Sequence, residues 1–140
     1  MSVRVRRILE VKPGESWLGI SEGCWVFDAP PGHSRVRLAR AAVWLLPLVE
    51  RPRDEVEERA RVNLVPGDPD LREPIQTVIG AGLSGWSDYW MSRTLDWMAA
   101  DEVAVFADQV HRIALMPTSA SQRTQHAAKA LLKAQGLWAP

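Results

Sequence analysis

The chain has 140 residues, 46% of them apolar and 24% charged. That is enough for one ordinary domain with a buried core, and it excludes a disordered tail. Seventeen basic residues balance seventeen acidic ones, so no global field steers the chain toward nucleic acid or a membrane surface.

A single cysteine, Cys24, excludes an internal disulfide framework and suits a reducing cytoplasm. No segment reaches the roughly 18 apolar residues of a membrane span. The opening residues Met1 to Arg7 have no apolar run behind them, so no secretory signal is expected. Arginine far exceeds lysine, which occurs only at Lys12, Lys129 and Lys133. With the abundant alanine, that is the coding bias of a GC-rich bacterial or phage gene.

Val3, Val5, Leu9 and Val11 alternate with Arg4, Arg6, Glu10 and Lys12, the pattern of a strand with one buried face. Pro13-Gly14 suits a type II turn, with glycine supplying the positive φ. Ser16 to Ile20 can return as a second strand, Ser21 to Gly23 form a three-residue loop, and Cys24 to Phe27 a third strand. Asp28 to His33 is a break rich in proline and glycine. Ser34 to Glu50 reads as a helix capped by Ser34, with Val36, Ala39, Val43 and Leu46 inward and Pro47 ending or kinking it. In the competing reading, Arg35 to Leu38 continue the sheet and the helix starts later. Asp54 to Val62 reads as an exposed helix laced by local ion pairs.

Val65 to Asp70 is a second punctuated linker and the expected boundary between two subregions, 1–64 and 70–140, of a single 1–140 domain. Asp70 to Glu73 resembles a capping box, and Ile75, Val78, Ile79 and Leu83 follow at helical spacing. Ser84 to Met98 carries three of the seven tryptophans. Wound at about 100° per residue, Trp86, Trp90 and Trp97 fall in one wedge, opposite the ridge of Asp88, Ser92 and Asp96. Asp101 caps a further helix burying Val103, Phe106, Ala107, Val110, Ile113 and Ala114, stopped by Met116-Pro117. Ser119 to Gln122 is a second capping box. The last helix buries Thr124, Ala127, Ala128, Leu131 and Leu132, and Gly136 followed by Leu137 suits a Schellman ending. The expected class is α+β: a small N-terminal antiparallel meander packed on a mainly helical C-terminal half, a helical bundle or a short HEAT-like array.

Gly80-Ala-Gly-Leu-Ser-Gly85 satisfies G-x-G-x-x-G, and Thr77 to Gly85 resembles the opening strand and phosphate loop of FAD- and NAD-binding Rossmann domains. The resemblance implies that Gly80, Gly82 and Gly85 cradle a pyrophosphate, that Glu102 to Asp108 is the second strand, and that Asp108 binds the ribose. Against it, Asp108 lies 28 residues after Gly80, and only 32 residues follow it. The favoured reading is a glycine-rich elbow between two helices, with Gly80 or Gly82 ending the first and Ser84 capping the next.

Other constellations are weaker. Asp108 and His111 stand i, i+3 and could meet His126 as metal ligands, but surface placement explains all three, and no metal or cofactor is expected. A Cys24–His33 nucleophile pair is conceivable, yet a cysteine in a strand is ordinarily buried. Arg4, Arg6, Arg35, Arg37 and Arg40 would form a basic stripe for nucleic acid if the 34–40 segment lay beside the first strand, with Trp17 or Trp25 as a stacking platform. Seven tryptophans exceed what one small core needs, and exposed ones anchor protein contacts. Trp86, Arg93 and Trp138 are the partner-binding candidates, Trp138 either folding back or protruding as a hook. The function these features favour is a cytoplasmic, non-enzymatic protein–protein interaction module: an adaptor, an inhibitor or immunity-type protein, or a subunit of a bacterial or phage assembly. A dinucleotide-binding protein and a nucleic-acid-binding module are the alternatives, and the partner is another protein or a second copy of the chain.

Overall fold

A computed structural model describes residues 4–29, 33–84, 86–115 and 119–139, without the side chains at 33–35. The chain is α+β, an antiparallel four-stranded sheet followed by a mainly helical C-terminal half. By its contacts it divides into two compact units, Met1–Val78 and Ile79–Pro140. The linker at 65–70 therefore lies inside the first unit.

In the first unit, β1 (Arg6–Lys12), β2 (Ser16–Ser21), β3 (Cys24–Ala29) and β4 (His33–Arg37) pair in sequence order. The β1–β2 connection is the expected type II turn: the Glu15 N–H donates to the Lys12 carbonyl at 3.0 Å, and Gly14 has φ 73°. The β2–β3 connection is tighter than the expected three-residue loop. Ser21 pairs with Cys24, so Glu22 and Gly23 alone make the turn, both at positive φ (54° and 76°) as a type I′ hairpin requires.

A bulge shapes β1. Arg7 pairs with Gly19 and Leu9 with Leu18, so Ile8 is an extra residue. Neighbouring positions of β2 face opposite ways, so the bulge puts Arg7 on one face and Leu9 on the other. Strict alternation would have sent Arg7 inward with Leu9 and Val11. Ile8, Leu9 and Val11 are all buried. Gly19 is required by close approach: a Cβ there would lie 2.5 Å from Val5 Cγ1.

Segment 34–50 is not one helix. Val36 pairs with Phe27 in β4, a short α1 (Leu38–Ala41) follows, and Ala42–Glu50 winds as a 3₁₀ helix containing Pro47. Three residues per turn change which side chains face inward. Leu45, Leu46, Leu48 and Val49 are buried, whereas Val43, expected inward, is 55% exposed. Helix α2 (Arg53–Asn63) buries Val56 and Ala60 and carries i, i+4 pairs Arg53–Glu57, Arg59–Glu55 and Arg61–Glu57. It also closes the outer edge of β1. The Asn63 amide donates to the Ile8 carbonyl at 2.9 Å, and Arg51, just before α2, donates to the Glu10 carbonyl at 2.6 Å. Trp25 is buried, its indole N–H satisfied by the Asp70 carbonyl at 2.9 Å.

Helix α3 (Arg72–Gly82) runs across the division between the units. Asp70 binds its first turn through the Arg72 N–H at 2.8 Å. In the second unit follow α4 (Asp88–Trp97), α5 (Ala100–Val105), α6 (Ala107–Leu115) and α7 (Gln122–Ala134). Three expected caps shift. Ser87, not Ser84, caps α4 by accepting the Trp90 N–H, so Trp86 stands outside the helix. Helix α5 begins at Ala100 rather than on an Asp101 cap, with the Glu102 carboxylate taking the Ala99 N–H at 2.8 Å. Ser121, not Ser119, caps α7 by accepting the Thr124 N–H. The expected single helix after Asp101 is broken at Phe106 (φ −107°, ψ 22°). The core of this unit includes Ile79, Leu83, Met91, Leu95, Trp97, Val103, Val110, Ile113, Ala128 and Leu132. At the end of α7 the Leu137 N–H donates to the Leu132 carbonyl at 2.8 Å and Gly136 has φ 68°, the expected Schellman ending. Among the described residues no helix is long and apolar enough to cross a membrane.

Candidate functional site

Exposed tryptophan and tyrosine side chains are common anchors of protein contacts. In the second unit two stand at the start of α4. Trp86 is 52% exposed and Tyr89 51%. Trp90, half-buried, meets Tyr89 edge-to-face with ring centroids 4.9 Å apart.

Their backbone is held from several sides. The Trp86 indole N–H donates to the Ala81 carbonyl at 3.3 Å. Ser87 caps the helix, and the Asp88 carboxylate accepts the Ser121 N–H at 2.7 Å, joining the first turn of α4 to that of α7. That N–H, with the Thr124 hydroxyl, holds the Asp88 carboxyl below the ordinary carboxylate range.

Tyr89, Arg93 and Asp96 are spaced i, i+4, i+7 and share one stripe of α4. Arg93 and Asp96, with Ser92 and Leu95, face Arg123, Ala127, Ala130 and Leu131 of α7 across a groove of about 520 Å³. The Tyr89 stripe thus leads to a groove lined by both apolar and charged side chains. Such a surface can take an apolar side chain or a helix face from another chain.

Trp138, the third partner candidate, lies elsewhere. It folds back between α6 and α7, its ring 5.3 Å from that of His111 and 5.0 Å from Lys129 Nζ. His111 Nε2 also lies 2.6 Å from the Ala139 carbonyl. The tail is docked on its own unit and is not a hook.

The glycine motif does not form a strand–loop–helix. Residues 77–82, which include Gly80, lie in α3, and 102–108 are helical apart from the break at Phe106, with Asp108 exposed in the first turn of α6. Gly85 lies outside the described residues. Gly82 has a packing reason: a Cβ there would fall 1.9 Å from Thr94 Oγ1 and 2.8 Å from Thr94 Cβ, so only glycine lets α3 end against α4. The dinucleotide reading is corrected on that ground.

The arginine stripe is corrected too. β1 and β4 are opposite edges of the sheet, so Arg4 and Arg6 are separated from Arg35 and Arg37 by three strand spacings, roughly 14 Å. Arg6 is engaged by the Asn63 carbonyl and the Asp68 carboxylate, and the side chain of Arg35 is outside the described residues. Trp25 is core and cannot stack bases. Cys24, expected buried, is exposed beside the β2–β3 turn, and the side chain of its conceived partner His33 is outside the described residues. His126 is exposed, and among the described residues no three His, Cys, Asp or Glu side chains group as a metal site.

Sequence reasoning missed Tyr89, because a tyrosine inside a tryptophan-rich helix gives no sign of which way it faces. Compared with known proteins, the chain matches no family model, no curated protein and no solved structure.

Proposed function

We propose that the protein is a non-enzymatic protein–protein interaction module and that it binds its partner through the Trp86–Tyr89 surface and the adjoining Arg93 groove. One observation carries this reading: two large aromatics, each more than half exposed, lie three residues apart, one just before and one in the first turn of a helix whose start is fixed by its own cap and by the Asp88–Ser121 contact. Preorganised aromatic anchors of this kind dominate binding energy, each costing about 2 kcal/mol or more when truncated. Arg93, Asp96 and Arg123, which line the groove, would set register against a partner surface of complementary charge. A cytoplasmic adaptor, an inhibitor or immunity-type protein, or a subunit of a bacterial or phage assembly fits this surface, with a second copy of the chain as the other possible occupant.

Affinity capture from the native host, run in parallel with the wild type and with Trp86→Ala/Tyr89→Ala, tests the reading. A stoichiometric partner retained by the wild type and lost by an equally folded variant supports it. A partner held equally by both places the contact surface elsewhere and overturns it.

A further inference from the structure

The first unit holds a cavity of about 440 Å³ between β1 and α2, lined among others by Arg7, Glu10, Trp17, Arg51 and Arg59. Its size is within the usual range for small-ligand sites, about 300–1,000 Å³. Three guanidiniums from three separate stretches of chain converge there against one lining carboxylate, Glu10. The β1 bulge is what puts Arg7 on this face of the sheet. The Arg7 guanidinium then stacks 3.7 Å from the centre of the Trp17 ring and gives its Nε to Asp28 at 3.1 Å. Arg51 is held by the Glu10 carbonyl and by Glu55, and Arg59 gives its Nε to the same Glu55 at 3.2 Å.

These contacts orient the guanidiniums, and each has a carboxylate partner: Asp28 for Arg7, Glu55 for Arg51 and Arg59. Arg7 and Arg59 each meet a carboxylate through Nε, one of five N–H donors that a guanidinium carries. The Arg59 side chain is 66% exposed. Planar guanidinium forks match the oxygens of phosphate, and Trp17 supplies an apolar wall beside them.

We infer that this cavity binds a small phosphate ester, its phosphate held by Arg7, Arg51 and Arg59 and its organic part against Trp17. The site is in the first unit and does not depend on the aromatic surface of the second.

The test is a titration of the full chain followed by the ¹⁵N-indole resonance of Trp17, assigned with Trp17→Phe. The probes are ribose 5-phosphate, inorganic pyrophosphate, citrate and a single-stranded DNA oligonucleotide. The expected result is a saturable shift of the Trp17 resonance with ribose 5-phosphate, weakened at least about tenfold in Arg59→Gln and unchanged in Arg112→Gln. Arg51→Gln removes a bond to the β1 edge as well, so the exposed Arg59 is the cleaner variant. Saturable binding of pyrophosphate alongside ribose 5-phosphate also supports the site. No saturable shift with ribose 5-phosphate up to about 10 mM, equal binding in Arg59→Gln, citrate binding as tightly as ribose 5-phosphate, or binding of the oligonucleotide alone would each overturn it.

Discussion

The two units differ in what they cover: the first closes a sheet edge, though it leaves Trp44 55% exposed, and the second leaves two aromatics open at one helix start. In the first, the outer edge of β1 would present bare carbonyls at Ile8 and Glu10, a template for pairing with another chain. Asn63 and Arg51 cover both. In the second, Trp86 and Tyr89 are left open although the backbone beneath them is firmly held. What sets the Trp86–Tyr89 pair apart from the equally exposed Trp44 is the groove that Arg93 and Asp96 of the same helix line, on which the proposed partner surface rests.

The largest effect is expected at Gly82. Gly82→Ala drives a Cβ into Thr94 and should destabilise the second unit by about 2 kcal/mol, overpacking outweighing the usual helix gain of alanine. Urea unfolding checks it. Asn63→Ala comes next: losing the bond to Ile8 should cost about 1 kcal/mol and reopen the β1 edge, which light scattering would report as concentration-dependent association. Gly80→Ala has the opposite sign. Its Cβ would meet only Phe106 Cε1 at 3.8 Å, so the helix should gain about 0.5–1 kcal/mol. Opposite signs at two glycines of one motif would confirm that packing, not phosphate binding, explains them. A loss at Gly80 would reopen the question.

Asp88 gives a pH test of the platform under the aromatics. Its folded carboxyl sits below the ordinary value, so its contribution is present above the unfolded pKa and lost as pH falls through the folded one. Asp68 and Asp70 shift the same way, held first by the Val65 and Arg72 N–H groups respectively. Asp88→Asn should therefore flatten the acid limb of a stability–pH profile between about pH 5 and pH 2 and leave the limb above pH 7 unchanged in shape. An unaltered acid limb would mean that the Ser121 contact does not persist in solution.

Much of the fold was legible because local chemistry decides it. Pro13-Gly14, the Glu and Arg spacing of α2 and the Gly136-Leu137 ending each carry their own geometry. What escaped depends on partners distant in sequence. Val36 joins a strand because Phe27 is there to pair with it, Ile8 bulges to keep Arg7 off the core face, and the helix after Ala100 breaks at Phe106 with no proline or glycine to announce it. Serine caps were visible as a class, but Ser84, Ser87, Ser119 and Ser121 compete, and tertiary contacts such as Asp88–Ser121 choose among them. The candidate surfaces divide the same way. Trp86 and Arg93 were visible as residues, whereas the exposure of Tyr89 and the meeting of Arg7, Arg51 and Arg59 require the folded chain.

The last variant removes the proposed partner-binding residues. Trp86→Ala/Tyr89→Ala should cost about 1–2 kcal/mol of unfolding free energy, since the indole bond to Ala81 and the Tyr89–Trp90 ring contact are lost while about half of each ring is already exposed, and the variant should still fold. Native mass spectrometry of the protein captured from its own host, wild type beside this variant, is therefore the most direct measurement. The account predicts a defined complex with a second polypeptide for the wild type and free chain for the folded variant. The same complex in both spectra would contradict it.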